Sequence, residues 1–221
     1  MLNEEQIWQM VDLKKAEFIA LSDRVFETPE TLYNEYESVA EHVKTLKSEG
    51  FRVTEGICGM PTAVMGEAGD KGPVIAILGE FDALPQLSQA TGVAEPSPIE
   101  VGGNGHGCGH NLLGAASLLA ATAVKDWLAK NGILARVRYY GCPAEEGGAA
   151  KAYMARDGLF DDVEKVVLNR TAACEDDFRL AHDEFLDELW VCGVVYHGLC
   201  QLSLIHISEP TSPLYISEAV F

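Results

Sequence analysis

Pro73-Val74-Ile75-Ala76-Ile77-Leu78-Gly79-Glu80-Phe81-Asp82-Ala83-Leu84-Pro85 is the stretch on which the fold turns. Its first six residues are a short continuous apolar run, the mark of a strand buried on both faces. Such strands belong to sheets covered by helices on either side. The run ends at Gly79, and two carboxylates, Glu80 and Asp82, follow directly. A carboxylate at the end of a buried strand can bind a metal or orient a ligand imidazole. It can equally sit in an ordinary turn before Pro85, and for Glu80 the residues leave both readings open.

Outward from this strand the chain alternates between strand and helix patterns. Residues 86–105, rich in Ser, Pro and Gly, read as a loop. Asn111 to Ala129 predicts a helix with much alanine and leucine, Ile133–Tyr140 an alternating strand, residues 148–157 a helix and Val163–Leu168 a strand. Upstream, Ile7, Met10, Val11, Phe18, Leu21 and Val25 recur at helical spacing and predict a long amphipathic helix over 4–27, ended by Thr28-Pro29-Glu30-Thr31. A second helix is expected over about 35–48, with Val39, Val43 and Leu46 inward and Gly50 as its stop. Strands at Phe51–Glu55 and Pro61–Met65 follow. This order predicts an α/β fold with a mostly parallel central sheet flanked by helices. Ligands in such sheets gather beyond the carboxyl ends of the strands. Loops 79–85, 105–111 and 141–148 all follow predicted strands or open predicted helices.

Two of those loops carry ligand-type residues. Gly105-His106-Gly107-Cys108-Gly109-His110-Asn111 separates a thiol and an imidazole by one glycine, so both can turn toward one ion. Cys108 with His110 favours zinc, and carboxylate partners widen the choice toward manganese or cobalt. Alone, the loop reads better as a glycine-rich turn holding a buried cysteine ahead of a helix. It lacks the GxGxxG spacing of a dinucleotide site. Gly141-Cys142-Pro143-Ala144-Glu145-Glu146-Gly147-Gly148 then adds two adjacent carboxylates. A pair buried without a cation is costly. With an ion present, one carboxylate can bind it while its neighbour takes a proton from the attacking water. In isolation Glu145 and Glu146 read as a solvated pair at a helix N-terminus. Together with Cys108 and His110 they favour a hydrolytic metal site. His106 is expected to hydrogen-bond locally, and Phe81, Tyr139 and Tyr140 to be core.

Composition narrows the function classes. Sixteen basic and thirty-four acidic residues give a net charge of −18, a poor surface for nucleic acid. No run of eighteen apolar residues offers a membrane span. The start, MLNEEQIWQMVDLKK, lacks the basic, apolar character of a signal peptide, so a cytoplasmic location is expected. The six cysteines show no CxxC pair, and buried thiols are expected rather than a disulfide framework.

The runs GEFDALPQLSQ, GNGHGCGHNLLGAA, YYGCPAEEGG and ARDGLFDDV, in this order and spacing, resemble the zinc amidohydrolases of the aminoacylase/carboxypeptidase metallopeptidase family. The likeness covers about residues 5–168 and is greatest for the branch with auxin-conjugate and aminobenzoyl-glutamate hydrolases. It implies a catalytic domain with an inserted lid, two divalent ions (Zn or Mn), and hydrolysis of the amide bond in N-acyl amino acids. The small-molecule amide most in keeping with that branch is p-aminobenzoyl-glutamate, cleaved to p-aminobenzoate and glutamate. By resemblance, Cys108, His110 and Glu146 match metal ligands, Glu145 the general base and Asp82 the acid supporting the site. Glu80 stands where other branches carry a ligand histidine. The same likeness implies a homodimer, or pairing with a related A subunit, and neither nucleic acid nor membrane as partner.

The chain departs from that pattern toward its end. A further ligand histidine is expected after the strand that follows FDDV, but Val167-Leu168-Asn169-Arg170-Thr171 has none, and His182 comes late. Trp190–Gly198 resembles the strand entering the lid. Residues 1–198 therefore read as the N-terminal part of a catalytic domain whose lid is missing. Residues 199–221 read as a non-native tail, since Leu202–Thr211 matches the conceptual translation of a transposase adapter used in sequencing libraries. A truncated, non-catalytic metal-binding fragment is the alternative function.

Overall fold

A computed structural model describes residues 4–168. The late expectations (the missing histidine at 169–171, His182, the lid-entry segment and the tail) lie outside the described residues. In chain order the elements are α1 (Glu4–Glu27), α2 (Tyr36–Ser48), β1 (Arg52–Glu55), a 3-10 turn (Ile57–Gly59), β2 (Val64–Ala68), β3 (Val74–Glu80), α3 (His110–Asn131), β4 (Arg136–Cys142), α4 (Ala150–Arg156) and β5 (Lys165–Leu168).

These strands form one sheet in the order β1-β2-β4-β3-β5. All seven residues of β3 are buried, as its unbroken apolar run requires. β3 runs parallel to both β4 and β5, so the expected parallel arrangement holds across that half. The other half is antiparallel, with β2 joining β1 to β4. The reason is chain length: only residues 56–63 connect β1 to β2, too few for the crossover a parallel pair needs. The β3–β4 and β4–β5 connections each hold a helix.

Strand alternation divides the core into two layers. Ile75 and Ile77 of β3, with Val137 and Tyr139 of β4, face α1, α2 and α3. Ala76, Leu78, Tyr140 and Cys142 point the other way, toward Met60 and toward Ala150 and Met154 of α4. α3 is long and apolar enough to cross a membrane by length and composition, but 72% of that span is buried inside the protein. Leu118 and Leu119 are fully enclosed there.

Gly114 lets α3 lie this close to the sheet. A Cβ at this position would strike the Glu80 carbonyl oxygen and approach His42 Nε2 to 2.8 Å. Because Glu80 pairs with Cys142 across β3 and β4, the loops after these strands leave the sheet side by side. The bridge between Leu84 and Gly105 brings the third loop to the same edge.

Candidate metal centre

His110 is the first residue of α3 and stands at the focus of the three loops. Gly109 ahead of it adopts φ 76°, a left-handed turn that swings the chain from loop into helix. The imidazole is almost wholly buried. On one side, Nδ1 lies 2.9 Å from Asp82 Oδ1 and 3.1 Å from the Asp82 carbonyl oxygen. Nδ1–H donating to Asp82 leaves the Nε2 lone pair free for a ligand. On that other side, Nε2 lies 3.2 Å from Glu80 Oε2, 3.7 Å from Glu145 Oε2 and 3.8 Å from Glu146 Oε1.

Two ligand groups result, and they share this imidazole. Cys108, His110 and Glu146 bring ligand atoms within 4.8 Å of one another, and so do Glu80, His110 and Glu145. Glu146 Oε1 is buried and has no hydrogen-bond partner. A buried acceptor left unpaired is costly, and a cation at that position would satisfy it. The donor set of thiol, imidazole and carboxylates thus fits a divalent ion of the zinc or manganese type.

Electrostatics follow from burial and from the crowd of negative charge. Burial alone would lower His110, yet hydrogen bonds to Asp82 and Cys108 and the charges of Asp82 and Glu80 push it up to about 11. Burial would raise Asp82, but the His110 hydrogen bond and the amides of Glu146 and Glu145 hold it below the usual carboxylate range. One of those amides, Glu146 N–H, donates to Asp82 Oδ2 at 3.0 Å. Glu146 itself is raised, chiefly by burial. The two adjacent glutamates differ in exposure: the Glu145 side chain is 42% exposed and that of Glu146 21%.

All five site residues singled out from sequence, together with Glu80, meet in this cluster. Lys151, in the first turn of α4, was not among them; its ammonium pairs with Glu80. A lysine in a predicted helix carries no signal that separates it from a solvated one. Glu80 therefore offers one oxygen to Lys151 and the other to the imidazole. His106 corrects an expectation: its ring is buried and Nε2 bonds the Val25 carbonyl oxygen at 3.1 Å, a contact with α1 rather than a local one. Phe81, Tyr139 and Tyr140 are core, as expected.

Comparison with known proteins agrees with this geometry. The chain is 44% identical over 164 residues to one of the two kinds of chain named for the p-aminobenzoyl-glutamate hydrolase of Escherichia coli, covering 72% of this chain and 34% of the relative. It is 30% identical over 168 residues to the N-acetyl-L-cysteine deacetylase of Bacillus subtilis, covering 75% of this chain and 39% of the relative. The chain thus spans little more than a third of the length of these curated relatives. Among solved structures, a dinuclear metal-binding peptidase of the M20 family from Bacillus subtilis superposes with a TM-score of 0.57 at 26% identity. That match covers 70% of this chain and 43% of the other. Residues 76–216, more than half of the sequence, match the pattern of a single family, and the chain belongs to it: peptidase family M20/M25/M40.

Proposed function

We propose that this chain supplies part of a metal-dependent amidohydrolase that cleaves N-acyl amino acids, with p-aminobenzoyl-glutamate as substrate and p-aminobenzoate and glutamate as products. The observation that carries the reading is the buried, unpartnered Glu146 Oε1 set beside Cys108 and the free face of His110. The E. coli relative, named as one component of a p-aminobenzoyl-glutamate hydrolase, supports the substrate and suggests pairing with a related A subunit or with a second copy. A cytoplasmic location belongs to the proposal, because a thiolate ligand such as Cys108 must stay reduced.

Cys108, His110 and Glu146 would hold one divalent ion, and Glu80 with the shared imidazole a second, zinc or manganese being suited to both. Such an ion supplies Lewis acidity toward the amide carbonyl and its attacking water. Glu145 takes the proton from that water and passes it to the leaving amine. Its greater exposure suits a group that must exchange protons. Asp82 keeps His110 in the Nδ1–H form and fixes the ring. Lys151 offsets part of the negative charge that Glu80 adds.

A second reading has an observation of its own. Among the described residues, one imidazole serves both ligand groups. A fragment that holds a single ion without turnover would look the same here. Metal analysis after equilibration with zinc or manganese, with an assay on p-aminobenzoyl-glutamate, separates the two. Bound metal with hydrolysis supports the enzyme, whereas one weakly held ion and no hydrolysis in the chain or its longer parent removes it. Glu145→Gln in the active form should abolish hydrolysis yet leave metal content nearly intact. Equal loss of both would contradict the proton-transfer role.

A further inference from the structure

The segment between α1 and α2 touches every loop of the centre. The Pro29 carbonyl oxygen accepts a hydrogen bond from Asn104 Nδ2 at 3.0 Å, just ahead of the 105–111 loop. The Glu30 carbonyl oxygen accepts one from the Ala83 amide at 2.7 Å, in the loop after β3. Glu35 Oε1 accepts the Ala144 amide at 2.8 Å, in the loop after β4. Tyr33 Oη donates to the Gly148 carbonyl oxygen at 2.6 Å, at the far end of that same loop.

The strongest of these contacts involve side chains that the packing alone does not explain. Glu35 is completely buried, and its Oε2 has no hydrogen-bond partner. Its Oε1 also accepts the Tyr33 amide at 3.0 Å, so one oxygen ties the turn to the loop. Burial raises its carboxyl against the pull of these amides. An acid held in this way is costly, and an apolar residue would fill the volume without that cost. The segment it grips is strained: Ala144 takes φ 53° and Ala149 φ 51°, conformations that L-residues avoid. Gly148 is also pressed against the Tyr33 ring, where a Cβ would lie 2.6 Å from Cε2. Glu145 and Glu146 sit between the two gripped ends.

We propose that Glu35 and Tyr33 are positioning residues, a two-point clamp that holds the strained 143–148 loop so that the Glu145 and Glu146 carboxylates converge on the face of His110. The assignment rests on the metal-centre reading for its purpose and on the hydrogen bonds alone for its existence. The clamp acts on the amide of Ala144 and the carbonyl of Gly148, and neither residue of it reaches the ion or the substrate.

Two readouts test it, one independent of metal. Hydrogen exchange of the metal-free 221-residue chain is followed in peptides covering 143–149, with peptides from α3 and β3 as reference. Cobalt(II) titration then follows the thiolate charge-transfer band of Cys108 and the visible bands of the ion. Glu35→Ala should speed exchange in 143–149 while the reference peptides keep their protection. It should also weaken cobalt binding about 10- to 100-fold, the range for removing an outer support of a metal site. Glu35→Gln keeps an acceptor oxygen and should restore both readouts to near wild type. Tyr33→Phe should loosen the loop more mildly. A folded Glu35→Ala chain with unchanged loop exchange and unchanged cobalt spectra overturns the clamp, as does a Gln variant as impaired as the Ala variant. If Glu35→Ala does not fold, Tyr33→Phe decides, and unchanged loop exchange there overturns it. If the wild-type chain takes up no cobalt, the metal-centre reading fails, and loop exchange alone decides the clamp.

Discussion

Asp82 shows how one side chain organises the residues around it. Its two oxygens reach different loops, one toward His110 Nδ1 and the other toward the Glu146 amide. Asp82→Asn should therefore leave the fold in place but lose the fixed tautomer, because the amide can present either donor or acceptor to the ring. The expected cost is about 10- to 100-fold in metal affinity, read by competition with a chromophoric chelator. An unchanged affinity would show that the ring is held by its packing alone. Sequence made Cys108, His110, Asp82, Glu145 and Glu146 legible because ligand chemistry and glycine framing coincide in short runs. Lys151 and Glu35 stayed hidden for a physical reason. A lysine on a helix and a glutamate before one are ordinary solvated residues until the tertiary fold buries or pairs them.

Helix and strand identities were legible from periodicity, while several edges were not. The strand expected over Pro61–Met65 lies at Val64–Ala68, because Pro61 and Thr62 turn the chain and the Ala63 carbonyl oxygen accepts the Gly56 amide. Gly66 in its centre weakens the strand signal there; in the fold it makes room for Leu46. The strand expected from Ile133 begins at Arg136 because Gly132 and Ile133 close α3, the Ile133 amide bonding the Leu128 carbonyl oxygen at 3.0 Å. The antiparallel edge was not legible, since pairing direction depends on connection length rather than on strand pattern. The approach of α3 to β3 sets a prediction at this scale. Gly114→Ala should push the helix off the end of β3 and cost about 1–3 kcal/mol by urea unfolding, the usual penalty of overpacking. It should also displace His110, so metal affinity should fall with stability. A variant as stable as wild type would mean that α3 can shift without strain.

Across the whole molecule, stability should depend on pH through His42. Its ring is fully buried, packed against Phe81 and Tyr139, with Nδ1 on the Ser38 carbonyl oxygen. Burial lowers its pKa to about 4, against a small opposing pull from Glu41 and a push from Arg24. The native state thus keeps His42 neutral where the unfolded chain, near 6.5, already binds a proton. Its effect is absent above about pH 6.5 and grows as pH falls toward about 4, reaching about 3 kcal/mol of lost stability. His42→Gln should flatten that slope in urea midpoints measured from about pH 7 to about 4. A slope identical to wild type would contradict the buried neutral ring.

The imidazole at the start of α3 has a consequence for how the centre fills. With Nδ1 committed to Asp82, His110 has a single lone pair to give, and both ligand groups lay claim to it. Whichever ion takes that pair leaves the other without an imidazole. Loading should then be stepwise and unequal, giving a biphasic calorimetric isotherm with one tight and one weak phase. Dialysis against a mild chelator should strip the two ions at different rates, so the protein would pass through a half-filled form that can be isolated.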